Sequence, residues 1–207
     1  MNSNIVIIKL KIGNYNSISK CLNKLNIKHL VTDDNSIINQ ADKIILPGVG
    51  AFGAFSEEIH DKKINILIKD KFKRKKSILG ICVGFQVLFE KSEESANTKG
   101  LSLLHGSFKK FYTDKDKNVQ KNHLGWNEVK QIKKSIIFDG VNENSDFFFN
   151  HRFFLSSYND DILCGKTTFH DEFPSVINCD KLFGVQFHPE KSQKNGLLIL
   201  KNFCEKC

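Results

Sequence analysis

The chain has 207 residues, 31 Lys and Arg against 23 Asp and Glu, a formal net charge of +8 and six cysteines. That length suits one domain, residues 1–207, able to bury roughly 70% of its unfolded surface without disulfides or metal. No apolar run approaches the roughly 18 residues of a membrane span, and Met1-Asn2-Ser3-Asn4 lacks the basic region and cleavage site of a secretory signal, so a cytoplasmic protein without membrane association is expected. The basic balance does not imply nucleic acid. Arg74 and Arg152 are the only arginines, and the one dense basic run, Lys71-Phe72-Lys73-Arg74-Lys75-Lys76, reads as the solvated end of a helix, where cations suit the dipole.

In chain order, residues 4–10 read as a strand. Asn14 is a candidate cap for a helix with Ile18, Cys21, Leu22 and Leu25 on one face. Residues 43–46 form a second buried strand, 63–72 a helix, 77–81 a third strand and 83–90 the start of another helix. Such alternation predicts a mainly parallel sheet flanked by helices. Beyond Leu101 the pattern turns to short β-rich segments near 106–112, 147–155, 162–168, 175–178 and 182–187, closed by a helix over 196–203. The expected class is α/β with an antiparallel, β-rich second half.

Gly80-Ile81-Cys82-Val83-Gly84 lies at the seam between a predicted strand and a predicted helix. Flanking glycines of this kind let strand and helix approach closely while the central residue is held in a strained conformation with its side chain exposed. A helix N-terminus there favours thiolate over thiol. Phe187-His188-Pro189-Glu190 offers a base at the end of another apolar run, with a carboxylate two residues on that is able to hold the imidazole. Both groups fall at carboxyl ends of strands, where ligands gather in open α/β sheets. The remaining cysteines, Cys21, Cys164, Cys179, Cys204 and Cys207, form no disulfide framework. Cys204-Glu205-Lys206-Cys207 lacks a second ligand pair, so no metal and no cofactor is expected.

A cysteine elbow followed far downstream by His-Pro-Glu resembles the class I glutamine amidotransferases. Four blocks narrow the resemblance to the glutaminase subunits of imidazole glycerol phosphate synthase: the run from Ile44 to Phe52 containing Pro47-Gly48-Val49-Gly50, the run from Gly80 to Glu90, His123-Leu124-Gly125-Trp126-Asn127-Glu128, and the run from Phe183 to Ser192. They cover essentially the whole chain in the family's order. The resemblance implies a class I amidotransferase fold and glutamine hydrolysis by Cys82, His188 and Glu190. It places the Gly48, Val49 and Gly50 loop beside the oxyanion, with the Val83 amide as a second donor, and implies that the loop is activated by the partner. It assigns Gln86, Glu94, His151 and Arg152 to glutamine binding. Read alone, Glu94 is an acid at an exposed helix end. The implied partner is a (β/α)8-barrel cyclase forming a heterodimer that receives ammonia through a channel in histidine biosynthesis, with Gly13, Asn14, His123, Trp126 and Lys191 near the interface.

The chain departs from the family at Lys9-Leu10-Lys11-Ile12 ahead of Gly13-Asn14, at His151-Arg152-Phe153 and at Asn122. These leave the triad intact and bear on the partner surface and the rim of the glutamine pocket. Two alternatives follow: a paralogous glutaminase subunit supplying ammonia for amidation of a surface-glycan sugar, and a catalytically silent regulatory subunit.

Overall fold

Four apolar segments, Ile-Val-Ile-Ile at β1 (Ile5–Ile8) and the runs of β3 (Lys43–Gly48), β4 (Ser77–Cys82) and β12 (Leu182–Val185), are buried along their whole length. Near-continuous apolar runs mark parallel strands covered on both faces. The computed structural model describes residues 4–111 and 122–207. Between the first strands run α1 (Tyr15–Lys24), β2 (Leu30–Thr32), α2 (Asn35–Gln40), α3 (Phe52–Asp61), α4 (Ile64–Lys73) and the one-turn α5 (Val83–Gln86). The second half comprises β5 (Lys91–Ser92), β6 (Ser107–Lys110), β7 (His123–Gln131), β8 (Ser145–His151), β9 (Phe153–Ser157), β10 (Leu163–Phe169), β11 (Asp171–Cys179), β12 and α6 (Gln193–Lys206).

A nine-stranded sheet runs β2-β1-β3-β4-β12-β11-β10-β7-β8, and a small one runs β5-β6-β9. In the large sheet the pairs from β2 to β12 are parallel and those from β12 to β8 antiparallel. The expected division into a parallel half and an antiparallel half therefore holds. β12, near the end of the chain, sits beside β4 with Val185 opposite Ile81, and this pairing carries the two chemical motifs to one end of the sheet. The largest fully buried side chains are all phenylalanines; Phe111 and Phe173 meet edge-on, and Phe169 and Phe149 each meet one of them in the same way.

Several expectations are corrected. The helix expected over 83–90 stops at Gln86, because the carbonyls of Val87, Leu88 and Phe89 accept from Leu101, Leu103 and Ser102 instead of from the next helical turn. The segment 147–155 is two strands in different sheets, split at Arg152. Glu94 lies in a turn, and its Oε2 accepts the Phe52 amide at 2.8 Å, so it is not a helix end. In the basic run Lys71 is buried, with its ammonium on the Asn39 and Ala41 carbonyls, while Arg74, Lys75 and Lys76 pair with Asp70, Asp180 and Asp42. Tyr112, at the end of the expected strand 106–112, lies outside the described residues, as do residues 1–3 of the expected domain. Among the described residues no helix is long and apolar enough to cross a membrane.

Candidate active site

β4 ends on Cys82, which adopts φ 54° and ψ −112°, a sparsely populated conformation that costs of order 1–3 kcal/mol in a non-glycine residue. The flanking glycines explain why this turn forms. A Cβ on Gly84 would run into the carbonyl of Leu46 in β3, and one on Gly80 into the backbone of Gly84 and Phe85. Side chains at these positions would push the elbow off the sheet. Because α5 has a single turn, its field at Cys82 is that of a few unpaired N–H groups, the Val83 amide among them, rather than of a long helix dipole.

His188 follows β12, which pairs with β4, and its backbone amide donates to the Phe148 carbonyl at 2.8 Å. Its Nδ1 meets Glu190 Oε1 at 2.8 Å, and both side chains are almost wholly buried, 3% and 1% exposed. Burial disfavours the imidazolium, but Cys82 and then Glu190 more than reverse this, and His188 is pushed up to about 10. Burial likewise works against the Glu190 carboxylate, yet the bond from His188 and that from Asn14 hold it below the usual range. The ring nitrogen that is free of Glu190 is left for Cys82. The other five thiols are raised by burial, Cys204 to about 12 and Cys207 to about 11.

A cavity of about 310 Å³ opens over Cys82 and is lined by Val49, Gly50, Cys82, Val83, Gln86, Glu94, Asn122, Asn150, His151, Arg152, Phe153 and His188. It thus gathers residues expected for nucleophile, base, oxyanion loop and glutamine pocket. Gly48 packs behind it on Val83 and Gly84, and the Val49 amide donates to the Ile12 carbonyl at 3.1 Å. A larger concavity of about 640 Å³ lies at the amino ends of β1 and β2, lined by Asn4, Asn23, Asn26, Lys28 and His29 among others. It holds no cysteine and no carboxylate, so the chemistry belongs to the smaller cavity. Among the described residues no cluster of three His, Cys, Asp or Glu side chains is arranged to hold a metal.

The residues expected near a partner divide. Trp126 and Leu124 are 49% and 53% exposed on β7, and Trp126 meets Phe148 edge-on while the exposed Lys191 ammonium lies 5.4 Å from the Phe148 ring. The Phe148 backbone, in turn, holds His188 and Ser192. Gly13 is half-buried in the loop after β1. Two expectations are corrected. The Asn14 side chain makes no cap bond to α1; it reaches Glu190. The His123 side chain is buried, stacked between Phe149 and Phe169, and so offers nothing to a surface.

His123 instead belongs to an interior chain. His151 Nδ1 donates to the Phe153 carbonyl at 2.8 Å, which leaves Nε2 to accept from His123 Nδ1 at 2.9 Å, and His123 Nε2 accepts from Asn127 at 3.1 Å. This assignment satisfies every ring nitrogen with both rings neutral. Burial takes His123 down to about 4, and burial, with the repulsion that a protonated His123 would add, takes His151 to about 3. Unfolding exposes rings that bind protons near 6.5, so below that pH the unfolded chain binds more protons and stability falls. A urea midpoint that drops between pH 6.5 and about 4 is expected, on the order of 2 kcal/mol per ring after screening. A constant midpoint across that window would mean that the folded rings already carry charge.

Gln186, which sequence reasoning passed over, is fully buried; its Oε1 accepts from Gln86 at 3.2 Å and its amide lies 3.9 Å from the Cys82 sulfur. Its signal was a polar residue inside an otherwise apolar run.

The sequence matches the family described as Glutamine amidotransferase class-I over residues 7–207. It is 43% identical over 204 residues to the imidazole glycerol phosphate synthase subunit HisH of Methanocaldococcus jannaschii, covering 97% of this chain and 98% of that protein. Identity to subunit HisH 1 of Methanococcus maripaludis is 40% over 206 residues, with the same coverage. PurLQS from Thermotoga maritima superposes with a TM-score of 0.73 at 17% identity, covering 98% of each chain, a likeness of fold.

Proposed function

Since the chain belongs to the class I glutamine amidotransferases, and within them to the glutaminase subunits of imidazole glycerol phosphate synthase, we propose that Cys82, His188 and Glu190 release ammonia from glutamine in the cavity over the elbow. The observation that carries this reading is the strained Cys82 facing the same cavity as a His188 that Glu190 orients at 2.8 Å. The thiolate forms a bond to the side-chain carbonyl carbon of glutamine. The carbon–nitrogen bond then breaks, ammonia leaves with the proton from His188, and a thioester remains. Water that gives a proton to His188 attacks the thioester, the carbon–sulfur bond breaks, and glutamate departs as the thiol reforms. Glu190 holds the ring in one tautomer throughout. The Val83 amide is one oxyanion donor, and the Gly48-Val49-Gly50 loop supplies the second.

Glutamine enters as a free amino acid with both its charges. Arg152 and Glu94, both lining the cavity, complement its α-carboxylate and α-ammonium, with Gln86 and His151 completing the pocket. Ammonia released into neutral water would be protonated and lost as a nucleophile, so its consumer must dock on this chain. The exposed Trp126 and Leu124 beside Lys191 are the type of aromatic and aliphatic anchor that interfaces use. The consumer in this reading is a (β/α)8-barrel cyclase forming a heterodimer with the single domain of this chain in the cytoplasm, and its product belongs to histidine biosynthesis.

Co-expression with the barrel protein of the same genome in a histidine auxotroph lacking both synthase subunits, on medium low in ammonia, tests the assignment. Growth is the expected result. A soluble complex with measurable glutaminase activity and no growth would transfer the ammonia to another acceptor, such as a surface-glycan sugar. Absence of glutaminase activity altogether would leave a silent regulatory subunit.

A further inference from the structure

We propose that Asn14 is a positioning residue of the hydrolytic site: its side-chain amide fixes the Glu190 carboxylate, and through it the His188 ring. The inference rests on the glutaminase reading above and adds to the triad a residue from the opposite end of the chain.

Asn14 occupies the N-cap position of α1. Asparagine at that position ordinarily accepts a bond from one of the first helical amides. Asp34, at the same position of α2, does this with the amides of Ser36 and Ile37. Asn14 makes no such bond, and its Nδ2 donates instead to Glu190 Oε1 at 2.8 Å, across 176 residues of sequence. The helix gives up its cap, and the side chain serves a carboxylate that accepts but does not donate.

The recipient oxygen also explains why the bond matters. Glu190 Oε1 takes both the Asn14 amide and the His188 ring, each at 2.8 Å, while Oε2 is buried with no partner. The terminal torsion of a glutamate is broad and two-fold. With His188 alone, either oxygen could serve the ring, and the imidazole would follow whichever did. A second donor on Oε1 selects one orientation. The titratable groups facing Glu190 are His188 and, from α1, the Cys21 thiol, whose sulfur lies 3.9 Å from the Glu190 carbonyl and which is pushed up by burial and then by Glu190. Asn14 is thus a neutral donor stabilising the buried anion, and it works in the direction that keeps Glu190 ionised.

Aspartate keeps the size of asparagine but presents an acceptor where Glu190 needs a donor, while alanine removes the donor alone. The full chain with its barrel partner is assayed as wild type, Asn14→Asp, Asn14→Ala and Cys82→Ala. Expected for Asn14→Ala is a fall in kcat on glutamine of about ten- to hundredfold, KM little changed, and an acid limb of the pH profile moved to higher pH. Asn14→Asp is expected to lose more than Asn14→Ala, because a second carboxylate then faces the buried Glu190 anion. An Asn14→Asp enzyme within about threefold of wild-type kcat, or an Asn14→Ala acid limb that stays at its wild-type pH, would overturn the assignment. Wild-type activity abolished by Cys82→Ala together with unaffected Asn14 variants removes Asn14 alone; an inactive wild type, or an active Cys82→Ala, removes the glutaminase reading beneath it.

Discussion

Replacing Cys82 with Ala is expected to abolish glutamine hydrolysis, by well over a hundredfold, while the complex continues to make product from added ammonia. The loss is large because the covalent route ends with the sulfur, and removal of a nucleophile costs far more than removal of a residue that positions it. Ammonia rescue is expected because, in the function proposed, the acceptor chemistry belongs to the partner. The other cysteines offer no substitute. Cys21, Cys164, Cys179, Cys204 and Cys207 are all raised by burial, and only Cys82 lies in the cavity with His188. Glutamate release and ammonia-driven turnover, measured on the same preparation, make the test. Hydrolysis retained above about one part in a hundred would remove Cys82 from the chemistry.

Much of this site is legible in the sequence because its parts are local. An elbow needs its small residues within two positions of the nucleophile, and Gly80 and Gly84 stand there because Leu46, Gly84 and Phe85 leave no room for a Cβ. His188 and Glu190 are two residues apart and read as a pair. The buried parallel strands announced themselves as apolar runs. What stayed hidden depended on distant partners. α3 has Phe52, Phe55 and Ile59 at helical spacing and passed unnoticed beside the conspicuous Pro47-Gly48 turn, while the alternation of β7 is obscured by polar residues and Gly125. The end of α5 is set by hydrogen bonds from residues 101–103, which no local rule sees. Asn14 followed the capping rule in type and position, and a carboxylate 176 residues away claimed its side chain. The resemblance put His123 near a partner together with Trp126; residues three apart on a strand face opposite ways, and while Trp126 is exposed, His123 faces in.

The isolated chain is expected to turn over glutamine roughly a hundred- to thousandfold more slowly than the complex whose partner holds its acceptor substrate, because one oxyanion donor is withheld. The Val49 amide donates to the Ile12 carbonyl at 3.1 Å and so is not free to meet an oxyanion. Turning the Gly48–Val49 peptide over requires changes in ψ of Gly48 and φ of Val49, which a glycine permits, and the loop beyond is open: Gly50 sits at φ 87° with no atom within 4 Å of where its Cβ would be. The holding carbonyl belongs to the segment between β1 and α1 that also carries Lys9, Lys11 and Asn14. That segment is tied down by the Lys11 amide on both oxygens of Glu58, at 2.9 and 3.0 Å. A partner that shifts it would release the Val49 amide, which would link docking to oxyanion stabilisation through one short stretch of backbone. Comparing glutamate release by the free chain and by the substrate-loaded complex decides the matter, and equal rates would show that no gate exists. A partner facing the exposed Lys9 and Lys11 would need acidic groups there to be complementary; since Ile12 holds the Val49 amide through its backbone carbonyl, those lysine side chains do not bear on that bond.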